Sequence, residues 1–319
     1  MTPDPAAALA PWAPDVALAP APDDSRVPDG FVVLADDGSR LHFLDWGGPP
    51  EARGDVPGVL LLPGLLQPAW SWAPVARRLA SATRVVAADL RGQGLSDAPL
   101  GGYELATLAA DAVAVAEGSG LLAGGPVVVA GHGFGGIVAA VAAEALGGRC
   151  AGLVLVDGGW ERLEVTTDVD VEEFLRGLDE PPEVLRTMDA YLADRRGFDP
   201  ATWDADQERA ARDSVVETAA GHVVRAVRPH VVEAMVRTMF EWEPADGMAA
   251  VTVPTVALVA LGSGDPEARL AELRRTAMAR LGGRAAGRDP IRILGFPGVA
   301  HNLMRYRSAD VAAAILATA

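Results

Sequence analysis

The sequence predicts an α/β protein built on a mostly parallel sheet of eight strands, flanked by helices and carrying an inserted helical cap. Three observations support this prediction. Several short runs are apolar without polar alternation, helical patterns separate these runs, and residues 160–246 contain helical patterns without any such run. Strands that are apolar on both faces are typical of parallel sheets covered by helices.

The first two strands are predicted as an antiparallel hairpin. Two short runs, FVVL and RLHFLDW, lie within residues 31–46 and flank the turn-prone residues 35–39. Alternating strands on either side of a cluster of Asp and Gly are typical of a hairpin. Residues 1–28, rich in Pro and Ala, are expected to form a disordered lead-in.

Six further strands complete the predicted sheet, and helices lie between most of them. Helical spacing is found at residues 71–80, 105–117 and 137–146, and a terminal helix follows Ser308. The strand runs are VLLL at 59–62, RVVAAD at 84–89, VVVA at 127–130, LVLV at 153–156, VALVAL at 256–261 and IRILGF at 291–296. Residues 29–159 and 247–319 are therefore predicted to form one core.

The insertion at residues 160–246 is predicted to be all-helical. Apolar residues recur there at helical spacing, for example at Val171, Phe174, Leu175 and Leu178. An insertion between two strands of such a sheet lies at one end of it, and ligands bind beyond the carboxyl ends of the strands. We therefore expect these helices to cap a pocket.

Charge and cysteine content exclude several classes of function. The formal net charge of −16 argues against nucleic acid or an anionic membrane surface as partner. The single cysteine, Cys150, cannot form an internal disulfide, which favours a cytoplasmic location. The uncharged residues 118–143 are long enough to span a membrane, but their glycines, Pro126 and His132 favour a buried strand, turn and helix instead.

The segment AGHGFGG, residues 130–136, follows a buried strand and precedes a helix of small residues. This is the context of a nucleophile elbow, a tight turn that presents a reactive side chain. The whole chain here resembles the α/β-hydrolase family, whose elbow reads G-x-S-x-G. Similar segments of that family are PGLLQPAWSWAPVARRLA from Pro63, DLRGQGLSD from Asp89 and HNLMRYR from His301. The position of the family's serine is Gly133, and Pro63 stands where the family has a histidine.

The resemblance implies a site in which His301 is the general base. The acid that orients it is expected at Asp265, after the strand at 256–261, with Glu267 as its neighbour and Asp157 as the alternative. Oxyanion donors would be the backbone amides of Leu65 and Phe134. Neither a cofactor nor a metal is expected, and His132 and Cys150 are interpreted as structural residues.

Glycine at position 133 offers no atom for covalent catalysis, and an aspartate, as in relatives that open epoxides, is equally absent. Glycine also relieves strain in the elbow, so its presence fits either a lost or an altered chemistry. The first hypothesis is therefore a weakened or former hydrolase of small uncharged esters or lactones, in which His301 activates water. The alternatives are a lyase, isomerase or cofactor-free oxygenase that uses His301, a protein that binds a small apolar molecule, or an ordinary hydrolase altered at position 133.

Overall fold

The computed structural model describes residues 26–49, 56–178, 186–248, 251–262, 265, 268–269, 272 and 291–318. The strands in these ranges, numbered in chain order, are β1 Asp29–Leu34, β2 Arg40–Gly47, β3 Gly58–Leu62, β4 Val85–Ala88, β5 Val127–His132, β6 Cys150–Val156, β7 Val215–Glu217, β8 Val223–Arg225, β9 Thr255–Ala260 and β10 Arg292–Phe296. Residues 1–25 of the predicted lead-in lie outside the described residues.

Eight strands form one sheet in the order β1-β2-β4-β3-β5-β6-β9-β10. The pairs β1–β2 and β2–β4 are antiparallel, and every other pair in this sheet is parallel. The prediction of a hairpin followed by a parallel sheet is therefore confirmed. β9 pairs with β6 and β10 pairs with β9, so the chain after the insertion completes the same sheet.

Helices lie on both faces of this sheet and in the insertion. They are α1 Ala73–Leu79, α2 Leu105–Gly118, α3 Phe134–Leu146, α4 Leu163–Thr167, α5 Val171–Leu178, α6 Met188–Phe198, α7 Ala205–Asp213, α8 Pro229–Glu241, α9 Pro244–Gly247, α10 Leu303–Tyr306 and α11 Ser308–Thr318. Short 3-10 segments are Ala69–Trp72, Leu121–Gly124, Gly147–Arg149 and Pro200–Thr202.

Alternation along the central strands supplies two hydrophobic cores. Leu60 and Leu62 of β3 pack into the core that contains α2, α3 and α8. Val59 and Leu61 of the same strand pack into the core that contains α1 and α11. Because successive side chains of a strand point to opposite faces, a strand buried on both faces is apolar throughout.

The insertion between β6 and β9 contains α4 to α9, but it is not all-helical as predicted. β7 and β8 pair as a small antiparallel hairpin. Val216 and Val224 of this hairpin are exposed, so neither strand produces the long apolar run that marks a buried strand. The proposed limits of the cap, residues 160–246, stay a prediction.

The uncharged residues 118–143 divide between the end of α2, a 3-10 turn, β5 and most of α3. No helix in the described ranges combines the length and the apolar character needed to cross a bilayer.

Candidate active site

Gly133 forms the turn between β5 and α3, with φ 51° and ψ −117°. Neighbouring glycines are required by packing, since a Cβ on Gly131 would lie 2.0 Å from the Gly135 carbonyl oxygen and one on Gly135 would lie 2.4 Å from the Leu62 oxygen. A Cβ on Gly133 would instead meet His301 Nε2 at 3.1 Å, and backbone only at Gly64 Cα, 4.0 Å away. A side chain at the elbow would therefore meet the His301 ring instead of fixed backbone, and the ring would have to shift by a few tenths of an ångström.

His301 lies in the loop between β10 and α10, with its ring directed at this space. Its Nδ1 is 2.6 Å from Asp157 Oδ2, and Asp157 Oδ1 accepts a hydrogen bond from Ala260 N at 2.7 Å. A neutral His301 that donates from Nδ1 has its lone pair on Nε2, beside the elbow. The pair is therefore arranged as an oriented base.

Asp157, the alternative in the sequence analysis, is thus the carboxylate beside His301, and the preference for Asp265 is corrected. Asp265 is exposed, and its Oδ1 accepts a hydrogen bond from Ala268 N at 3.2 Å. β6 and β9 are adjacent parallel strands, so residues that follow either one leave the sheet at the same edge. Sequence order alone could not decide between the two, and Glu267 lies outside the described residues.

We expect an Asp157→Asn substitution to lower any His301-dependent turnover by about 10²-fold, because an amide can accept or donate and no longer fixes the tautomer. Asp265→Asn is the matched control and is expected to change the rate less than about twofold. Steady-state rates of both variants check this, and equal losses would contradict the assignment.

The two predicted oxyanion donors face the same cavity as His301. Leu65 and Phe134 both line it, and within the described ranges neither backbone amide donates to a protein acceptor. Unpaired amides at the start of a helix and in the adjoining loop can stabilise a developing oxyanion. Their use as an oxyanion hole stays a proposal.

Strained backbone is concentrated around this cavity. Leu66 and Asp157 have φ values of 65° and 49°, and they are two of the three non-glycine residues with positive φ in the described chain. Such conformations cost about 1–3 kcal/mol each and persist only where surrounding contacts hold them. Asp157 N donates to Leu258 O at 2.7 Å, which fixes one of them.

Gln93, which the sequence analysis did not single out, holds the other. Its buried amide donates to Gly64 O at 3.1 Å and accepts from Leu66 N. Both partners flank Leu65, so Gln93 fixes the loop that carries one of the proposed oxyanion donors. A polar residue between two glycines in DLRGQGLSD was the available signal.

We expect Gln93→Leu to lower the free energy of unfolding by about 2–4 kcal/mol, because it leaves the buried Gly64 carbonyl and Leu66 amide unpaired. Urea unfolding measures this change. Gln93→Glu keeps the acceptor for Leu66 N but loses the donor to Gly64 O. If the free energy of unfolding of either variant fell no more than an exposed substitution lowers it, the proposed support of the Gly64–Leu66 loop by Gln93 would be contradicted.

His132 lies beneath His301, with the two ring centroids 4.4 Å apart. Its Nε2 is 3.0 Å from the His301 carbonyl oxygen and its Nδ1 is 3.0 Å from Gln67 Oε1. Complete burial, and then the neighbouring His301, lowers the pKa of His132 to about 3. His132 therefore stays neutral, and its single N–H can donate to one of these two oxygens, in keeping with a structural role beside the His301 loop.

This buried histidine predicts a pH-dependent stability. The pKa of His132 is about 3 in the folded protein and about 6.5 when unfolded, so between these values the unfolded chain binds the extra proton. The stability is present above the unfolded pKa and falls as the pH decreases. Relative to His132→Gln, the native chain should lose about 2 kcal/mol between about pH 7 and pH 5. Denaturant unfolding at both values tests this, and a constant difference would contradict it.

The cavity above the elbow has a volume of about 470 Å³ and a largely apolar wall. Apolar residues of the core and the insertion form this wall: Ile137, Trp160, Leu163, Phe174, Leu178 and Met239. Among the described lining residues Thr167 carries the only hydroxyl, and it donates to Leu163 O. Burial raises the pKa of Cys150 to about 11, and this residue lies at the start of β6, outside the lining. The described cavity thus presents a base without a serine or cysteine nucleophile.

Comparison with known proteins identifies the family. Residues 59–314 match the model of the family described as "Alpha/beta hydrolase family". Epoxide hydrolase 4 of Mus musculus is 38% identical over 111 residues, which are 34% of this chain and only 29% of the mouse protein.

Two solved structures are similar in fold. The crystal structure of E-2-(acetamidomethylene)succinate hydrolase has a TM-score of 0.71 at 19% identity and covers 92% of this chain and 100% of its own. A thermophilic esterase from Thermogutta terrifontis has a TM-score of 0.60 at 22% identity, with 90% of this chain and 96% of its own covered. Since the family model spans far more than half of its length, this chain belongs to the alpha/beta hydrolase family.

Proposed function

We propose that the chain hydrolyses a small uncharged ester or lactone by direct attack of water, without a covalent enzyme intermediate. The observation that carries this proposal is the His301–Asp157 pair, whose Nε2 faces a glycine elbow instead of a nucleophile. The elbow has neither serine nor aspartate, so the covalent routes of the family have no attacking atom.

In the proposed reaction, His301 Nε2 takes a proton from water as the water oxygen attacks the carbonyl carbon. The negative charge that develops on the carbonyl oxygen is stabilised by the amides of Leu65 and Phe134. When the tetrahedral intermediate collapses, the protonated His301 returns the proton to the leaving oxygen. General base catalysis of this kind contributes about 10²–10⁴-fold.

Two features support an uncharged substrate of modest size. Apolar residues dominate the cavity wall, with the oppositely charged Glu161 and Arg269 also in the lining, and a chain with net charge −16 repels anions on approach. The two similar solved structures are a hydrolase and an esterase, which agrees with hydrolysis of a carbonyl compound.

A binding protein is the second candidate, and the absent nucleophile favours it. The same apolar cavity would hold a small molecule without converting it. A base-catalysed lyase, isomerase or cofactor-free oxygenase would also use His301, and it would release a product other than an acid.

The test is turnover of a panel of chromogenic short-chain esters and lactones, followed before steady state and by intact-protein mass spectrometry. We expect steady release of acid without an initial burst and without any covalent adduct. A burst or an acyl adduct would contradict direct water attack. Absence of turnover, together with calorimetric binding of an unconverted panel compound, would instead establish the binding protein.

A further inference from the structure

We propose that the unoccupied side-chain position at Gly133 is a binding site for a small neutral nucleophile, an alcohol or amine of about two heavy atoms. The site would then transfer an acyl group to this second substrate as well as to water. This inference rests on the proposed hydrolysis and adds an acceptor to it.

The shape of the elbow favours a bound molecule at Gly133. A Cβ on Gly133 has no neighbour closer than 3.1 Å and would point towards His301 Nε2. By contrast, a Cβ on Gly136, Gly158 or Gly159 would lie within 2.8 Å of backbone atoms. Among these four glycines, Gly133 is the one whose missing side chain would meet a side-chain ring that can move instead of fixed backbone, and it lines the cavity.

The size of the missing side chain sets the size of the proposed acceptor. The missing CH2OH group of a serine has two heavy atoms, as do methanol and hydroxylamine. A free molecule must keep van der Waals distance from the Gly133 Cα, and the cavity of about 470 Å³ gives it that room. His301 is 60% exposed, so its ring can shift to accommodate the contact.

His301 supplies the proton transfers that the proposed acyl transfer needs. His301 Nε2 removes the proton from the O–H or N–H of the acceptor as its oxygen or nitrogen bonds to the acyl carbon. The ester C–O bond then breaks, and the same proton passes from His301 to the leaving alcohol. With hydroxylamine the products are a hydroxamic acid and the alcohol, so atoms balance and no oxidant or further reactant is needed.

Preference for a neutral acceptor follows from the surroundings. Nε2 must accept a hydrogen bond from the acceptor and then take its proton. An ammonium ion has no lone pair on its nitrogen, so it cannot attack the acyl carbon. The apolar residues that dominate the wall of the cavity also disfavour a charged molecule.

The experiment uses the full chain with p-nitrophenyl acetate and increasing hydroxylamine. Nitrophenol release and acetohydroxamate are measured separately. We expect hydroxamate formation to saturate with hydroxylamine, and methanol to compete with it. Gly133→Ala fills the position with a methyl group, so its ratio of hydroxamate to acetate should be about tenfold lower.

A strictly linear dependence on hydroxylamine in the native chain, with the same product ratio in Gly133→Ala, would overturn the acceptor site. The native-chain saturation and methanol competition decide the matter even if Gly133→Ala fails to fold. Acetate formation without hydroxamate would overturn this inference alone. Absence of both products would overturn the proposed hydrolysis as well.

Discussion

Gly133→Ser is expected to raise ester hydrolysis by about 10²-fold or more, since it restores the one missing part of a serine hydrolase site. The new Oγ would extend from a Cβ 3.1 Å from His301 Nε2, which places it within hydrogen-bond reach of the base. The Leu65 and Phe134 amides already line the cavity. Initial rates on the ester panel measure the gain, and intact-protein mass spectrometry should detect an acyl-serine adduct.

The same substitution should lower stability by about 1–3 kcal/mol, because a residue with a Cβ is strained at φ 51°. Gly133→Ala is the matched control, since it introduces the same strain and the same contact with His301 without an oxygen. It should be destabilised equally and gain no activity. A folded Gly133→Ser chain that forms no adduct and stays as slow as Gly133→Ala would show that the catalytic arrangement is not functional.

The sheet was predictable because burial on both faces leaves a direct mark in the sequence. β3 and β5 contain the runs VLLL and VVVA without polar alternation, and the turn between β5 and α3 follows from Gly133 and its neighbouring glycines. The cap hairpin was missed for the converse reason. Val216 and Val224 are exposed, so burial imposed no pattern on their strands.

The positions of Gly133 and His301 in the candidate site were predictable, whereas the carboxylate that contacts His301 was less so. Gly133 and His301 follow particular strands, and the resemblance of the segments around them to the α/β-hydrolase family predicts both positions. The choice between Asp157 and Asp265 depended instead on which of two adjacent strand ends lies closer to His301. The path of the loops determines this, and no local sequence pattern predicts that path. The positive φ of Asp157 and its hydrogen bond from Ala260 N decide it in the structure.

Gln93 illustrates a second limit of sequence reasoning. Its importance lies in hydrogen bonds with Gly64, Leu66 and Gln67, in a loop 26 to 29 residues earlier in the chain. A single buried side-chain amide that pairs with backbone groups produces no periodic pattern in the sequence. The positions of Gly64 and Leu66 in the structure show that Gln93 supports this loop.

His301→Gln is expected to abolish most of the proposed hydrolysis by the native chain, a loss of about 10²–10⁴-fold. Without a nucleophile at Gly133, the ring is the group that can take a proton from the attacking water, and glutamine keeps much of its size and polarity without its basicity. The loss should appear in kcat, with KM changed much less, because the cavity wall that holds the substrate is untouched.

His230→Gln is the matched control, since this histidine contacts Pro99 O and Tyr103 away from the cavity. It should leave kcat within about twofold. In His301→Gly, added imidazole should restore part of the rate if the ring acts as a base. Equal rates for the native chain and His301→Gln would mean that Nε2 takes no proton in the reaction. The Asp157 contact would then serve only to hold the loop, and the apolar cavity would be a binding site.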